Sequence, residues 1–250
     1  MKLTKILASN FIKDFSSLFF SNIIQKIFGL IRELVVAFFL GSSILYANYL
    51  LIRVVADFFS QLTAGNALKA NLLPKFTKLY SSHKHISLSK IFTKSNKFSL
   101  ALFFLSQLIQ TSVIFFLGLQ DNIIYFILSF ILSCSISFNF INTIFLTVLQ
   151  ARGQFFRYAF ASVFNSFIFT VLLYPLVSFF SIIGLAISRL MGILTLTVSY
   201  IIPMRKEKSG FQIDINRADF NIPTLVLGNF ANIILISSRF AAGLDGTNGI

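Results

Sequence analysis

Apolar residues run along this chain in blocks of about twenty, separated by short polar stretches. The blocks fall at residues 15–40, 44–73, 98–118, 123–149, 158–180, 182–202 and 222–242. About 20 apolar residues in a helix cross the hydrocarbon core of a bilayer, so the pattern predicts seven spanning helices. The alternating segments of about ten residues that mark an outer-membrane barrel do not occur. The fold class expected is an all-α polytopic membrane protein. Residues 1–14 follow another pattern. Lys2, Lys5, Ser9 and Lys13 recur at helical spacing, with Leu3, Ile6, Leu7 and Ile12 between them. This predicts a basic amphipathic helix lying in the headgroup layer. A signal peptide fits less well, because Lys13 and Asp14 interrupt the apolar region and no small-residue cleavage site follows.

Composition agrees. The 250 residues are 56% hydrophobic and 12% charged, where a soluble domain carries about 25% charged residues. The net charge of +13 is not a nucleic-acid signature, because the bases sit in alternate short loops. Lys75, Lys78, Lys84, Lys90, Lys94 and Lys97 occupy one loop, Arg152 and Arg157 the next, and Arg205, Lys206, Lys208 and Arg217 a third. The intervening loops at 41–43, 119–122 and 181 have no Lys or Arg. The positive-inside rule then places the N-terminus in the cytoplasm and residue 250 on the far side. With 33 Phe and no Trp, the aromatic belt falls to tyrosines. Cys134 stands alone in an apolar run, which gives neither a disulfide frame nor a thiolate metal site. His83 and His85 lack an acidic or Cys partner nearby and read as a solvated loop. Phosphate loops, nucleophile elbows and paired catalytic carboxylates are all missing, so we expect no enzyme, no metal and no cofactor.

Candidate chemistry lies in the charges inside the spans: Lys26, Arg32, Glu33, Arg53, Asp57, Lys69, Arg189 and Arg239. Each costs about 2.5–3.5 kcal/mol at a helix centre on insertion scales, and such residues face a bundle interior or a wet cavity. The functional reading is a cavity that receives an anionic substrate. The structural reading is mutual neutralisation: Lys26 with Glu33, and Arg53 with Asp57 at i, i+4. Lys26, Gly29 and Glu33 fall close to one helical face, with Arg32 about a third of a turn away. Lys69 and Arg239 sit near span ends and read as snorkelling or interfacial anchors. Asn139, Asn142 and Asn165 read as interhelical hydrogen-bonding residues.

The segment Gln25-Lys26-Ile27-Phe28-Gly29-Leu30-Ile31-Arg32-Glu33, continuing to Phe39-Leu40-Gly41, resembles the first helix of the MurJ/MviN lipid II flippases, of the multidrug/oligosaccharidyl-lipid/polysaccharide exporter superfamily. Ala67 to Tyr80 with Pro74, Leu149-Gln150-Ala151-Arg152-Gly153-Gln154-Phe155 followed by Asn165, and Phe240 to Gly249 are also similar. The resemblance implies about fourteen helices in two lobes around a cationic cavity, moving an undecaprenyl-pyrophosphate-linked sugar by alternating access. It implies that Lys26 and Arg32 hold the pyrophosphate while Glu33 orients one of them. Arg53, Arg189 and Asn48 complete the expected substrate-binding set. Lys26 replaces the family's usual Arg and loses its planar fork. Glu33 and Asn48 each stand where the family has Asp, and Ser60-Gln61 where it has a basic pair.

The expected organisation is an amphipathic helix over 1–14, a six-helix N-lobe over 15–203, a cytoplasmic loop over 204–220, and a seventh span opening a second lobe over 221–250. An odd number of spans and the stop soon after the seventh lead us to expect a fragment. Expected partners are an anionic lipid-linked sugar, membrane lipids and a C-terminal half of the same transporter, with no nucleic acid. The expected location is a bacterial inner membrane. Polysaccharide or drug export within the superfamily, and a truncated non-transporting membrane protein, are the alternatives.

Overall fold

Six helical elements follow one another in the computed structural model, which describes residues 2–41, 43–82, 88–204, 234 and 238. They are α1 (Lys2–Leu40), α2 (Ile44–Ala64), α3 (Asn66–Ser81), α4 (Leu88–Phe116), α5 (Ile123–Ala151) and α6 (Phe155–Met204). No strand occurs among the described residues. The chain is an all-α membrane protein. The loop after residue 204, the seventh span apart from residues 234 and 238 and so including Arg239, and His83 and His85 lie outside the described residues.

Local chemistry sets the element ends. Ser43 caps α2 by accepting from the Tyr46 amide at 3.1 Å, and Asn122 caps α5 by accepting from Ile124 at 3.0 Å. Such caps satisfy amides that the first helical turn leaves without partners. Gly118 and Gly153 follow the ends of α4 and α5 at φ +66° and +67°, the left-handed conformation that glycine adopts at no steric cost.

Three elements depart from the blocks read in the sequence. Residues 2–40 form one continuous helix, roughly 58 Å long at 1.5 Å per residue, so it reaches well beyond a ~30 Å core. The block 44–73 divides at Gly65, whose extended backbone (φ −79°, ψ −170°) ends α2 and begins α3. Glycine is among the weakest helix formers. The helical residues 155–204 would span roughly 75 Å if straight. They reverse at Ser181 (φ 50°, ψ −126°), the one-residue connection between the blocks 158–180 and 182–202.

The reversal shows in close contacts between the arms of α6. A Cβ on Gly184 would lie 1.9 Å from the Leu176 carbonyl oxygen, and one on Gly192 would lie 2.7 Å from Asn165 Oδ1. Two glycines eight residues apart on one face thus let the second arm pack on the first. Small residues at helix contacts in membranes allow this close approach.

Helix α5 is the hub, packing on α2, α3, α4 and α6, while α1 packs mainly on α6. Two apolar layers result. The first gathers Leu40, Ile52, Leu128, Leu132, Leu173 and Leu185 at the end whose loops carry no Lys or Arg. The second gathers Leu68, Phe76, Phe140, Ile144 and Leu196 toward the end with basic loops. At that end Arg152 Nε donates to Tyr80 Oη, and its guanidinium lies 5.3 Å from the Tyr80 ring. Along α2, α5 and the second arm, polar residues fall between the two layers: Asp57, Asn139 and Arg189.

Candidate functional site

A cavity of about 210 Å³ opens at this mid-level, lined by Arg32, Asn139, Asn165, Ser166, Phe169, Arg189 and Ile193. Helix α1 supplies Arg32. Its Nη1 donates to the Ser166 carbonyl and to Thr170 Oγ1, both at 3.3 Å. The guanidinium sits 4.6 Å from the Phe169 ring centroid, a cation–π distance. The ring and the carbonyl of the first arm thus hold Arg32 against the cavity wall.

Arg189 enters from the second arm. Its Nη2 donates to Asp57 Oδ1 at 2.6 Å, a short charge-assisted bond. The other Asp57 oxygen accepts from Arg53 Nε at 3.3 Å. One carboxylate therefore bridges two guanidiniums and ties α2 to the second arm of α6. Tyr49 stands beside Arg189, yet Arg189 Nη1 is buried without a hydrogen-bond partner. Two guanidiniums share the Asp57 carboxylate, and Arg32 adds a third cation at the cavity wall, bonded to Ser166 and Thr170 rather than to Asp57.

The six residues expected to bind substrate fall into three settings. Arg32 and Arg189 line the cavity, and Arg53 joins them through Asp57. Lys26 and Glu33 are exposed on α1 and form no ion pair with each other or with another described residue. Asn48 donates to Tyr125 Oη at 2.9 Å in the first apolar layer. Lys69 lies 5.9 Å from the Tyr158 ring, toward the basic end. Asn142 joins helices, donating to the Ile193 carbonyl at 3.0 Å and accepting from Thr197 Oγ1 at 2.9 Å.

Sequence reasoning missed two things here. It paired Asp57 with Arg53 alone, and it left Asn139 and Asn165 out of the site. The signal for the two asparagines was present, since each is a polar residue inside an apolar run. No group of three or more potential metal ligands occurs among the described residues. The chemistry available is anion capture by guanidinium and carboxamide donors.

No curated protein matches the sequence. The fold is similar to a lipid II flippase MurJ in an inward closed conformation, with 22% identity and a TM-score of 0.69 over 93% of this chain and 50% of that one. It is also similar to a MATE in the straight conformation, with 14% identity and a TM-score of 0.65 over 96% of this chain and 57% of that one. A MATE in complex with Br-NRF matches at 15% identity and a TM-score of 0.57, over 96% of this chain and 60% of that one. The chain spans about half the length of these solved structures. At such identities the likeness is one of fold. The model of the lipid II flippase MurJ family matches residues 36–244, and the chain belongs to that family.

Proposed function

We propose that the protein transports a polyprenyl-pyrophosphate-linked sugar across a bacterial inner membrane, with lipid II, the peptidoglycan precursor, as its substrate. It acts as a transporter rather than as an enzyme. The observation that carries the reading is a polar cavity at mid-depth lined by Arg32 and Arg189, with Arg53 joined to Arg189 through the single carboxylate of Asp57. Charges inside a membrane are expensive, and a substrate of opposite charge accounts for keeping them. A pyrophosphate diester carries two negative charges, and guanidinium forks match phosphate oxygens in pairs. Lys26, exposed on the same helix as Arg32, offers a further cation to the head group, with Glu33 beside it; Asn48 completes the proposed contacts. Family membership supports the substrate class.

Alternating access requires two bodies that rock about a central site. This six-helix body supplies one, and the C-terminal half of the same transporter is the partner the reading requires. The basic loops at 75–97 and 150–157 face the cytoplasm in this reading, as does the N-terminus.

Complementation in cells depleted of their own lipid II flippase tests the proposal, with the whole protein as the rescuing copy. Arg32→Ala and Lys26→Ala should each abolish rescue at unchanged membrane abundance. Full rescue by both variants overturns it. Drug or polysaccharide export is the second reading, supported by the fold likeness to MATE structures. Drug efflux that persists in the Arg32→Ala protein would favour it. A cation exporter needs acidic cavity walls, and this cavity has two arginines and no acid among its described lining residues.

A further inference from the structure

Away from the arginine cavity, the contact between α4 and α5 carries a row of polar side chains along the apolar span Ser95–Phe116. Toward the basic end, Ser99 and Ser137 exchange hydroxyl-to-carbonyl bonds at 3.0 and 2.8 Å, so each hydroxyl there has its acceptor. Farther along, Gln107 Nε2 donates to Ser129 Oγ at 3.1 Å, and Gln110 Nε2 donates to Ser133 Oγ at 3.0 Å. Gln110, Ser129 and Ser133 are fully buried. None of these residues lines the cavity that holds Arg32 and Arg189.

The bonding around the two glutamines is incomplete in both directions. Gln107 Oε1 and Gln110 Oε1 are buried and accept nothing. The hydroxyls of Thr111 and Ser133 each accept from a glutamine, yet pass their own proton to no described residue. Ser129 differs, since it donates to the Phe126 carbonyl at 2.9 Å. Turning an amide over does not repair the count. It would give Gln110 Oε1 the Ser133 proton and strand the NH2 group in its place. Inside a membrane span such orphans have no solvent to turn to, and each forfeits the full cost of its desolvation.

We propose that the α4–α5 seam holds bound water beside Gln107 and Gln110. One water donates to an amide oxygen and accepts a hydroxyl proton at once, which meets both shortages. Ser133 Oγ already lies 3.0 Å from the nitrogen of the amide whose oxygen is orphaned, so a single water can reach both groups. Buried waters typically hold about three such bonds. A metal cation would meet the two oxygens and leave the two protons as they are. It would also arrive without a carboxylate, since no residue of the seam is acidic. The hub helix α5 is thus apolar where Phe140, Ile144 and Phe145 meet α3, and wet where it meets α4.

X-ray radiolytic footprinting of the whole protein in nanodiscs tests this. The beam splits water into hydroxyl radicals, which oxidise side chains beside bound water even where they are buried. Peptides holding residues 103–114 and 126–133 should take up label on their apolar side chains, while the peptide holding Phe140 and Ile144 stays unlabelled. Cys134 is left out of the count, because thiols oxidise readily. The Gln107→Leu/Gln110→Leu variant should lose the label, with circular dichroism as the check on folding and Gln110→Met as the milder replacement. A seam without label in the parent protein overturns the proposal, whatever the variants do. So does label that persists in a folded variant. Thermal midpoints in sodium, potassium and choline chloride should coincide. A midpoint that rises with one alkali cation in the parent, and not in the variant, would assign the seam to an ion and overturn the water. None of these outcomes depends on what the protein transports.

Discussion

Arg32 and Lys26 lie six residues apart on α1 and meet opposite surroundings. Arg32 turns toward the first arm of α6, where a ring, a carbonyl and a hydroxyl receive it. Lys26 is exposed, as is Glu33 about two turns beyond. The inner set, Arg32 with Arg53, Asp57 and Arg189, is wired into the bundle across α1, α2 and α6. The outer pair makes no hydrogen bond or ion pair with a described residue. A charge that holds helices together should register in stability when removed. A charge that holds only a visiting ligand should register in transport alone.

The comparison can be broken at its strongest point, the Asp57–Arg189 bridge. Breaking a buried ion pair by deleting one partner costs about 3–5 kcal/mol. Asp57 keeps a third of its side-chain surface exposed, so Asp57→Ala should fall near the lower end, ~3 kcal/mol. Thermal unfolding in nanodiscs would show it as a clear drop in midpoint. Removing both partners should recover part of the loss, and a double variant as unstable as the sum of the singles would deny the bridge. A smaller effect is expected at Arg53, whose contact with Asp57 is half-exposed and within one helix. Arg53→Ala should cost about 0.2–1 kcal/mol by the same measurement. The smallest shift belongs to the outer pair. Lys26→Ala and Glu33→Ala should each leave stability within about 0.5 kcal/mol, while Lys26→Ala loses rescue. A large stability loss there would place Lys26 with the inner set and erase the distinction.

Much of the bundle was legible because membrane helices announce themselves by length and hydropathy. The turn at Ser181 was visible as the one-residue seam between two apolar blocks. The division at Gly65 was not, because one glycine inside an apolar run is equally compatible with a continuous helix. At the site, Arg32 and Arg189 stood out as charges that lipid would not tolerate. The Asp57 partnership did not, since 132 residues separate it from Arg189 and the nearer Arg53 already supplied a local answer. Asn48 was read as a substrate contact from the position it shares with a family acid. Its bond to Tyr125 depends on how α2 meets α5, which no local pattern encodes.

The tight reversal at Ser181 also bears on how the chain is made. With a single residue between the arms, almost nothing protrudes there for a protease or an antibody to grip. An arm travelling alone through the translocon would bring Arg189 into lipid unaccompanied, at a cost of several kcal/mol. Entry of the two arms as one hairpin would spare that cost, and α2, earlier in the chain, carries the carboxylate that receives the arginine.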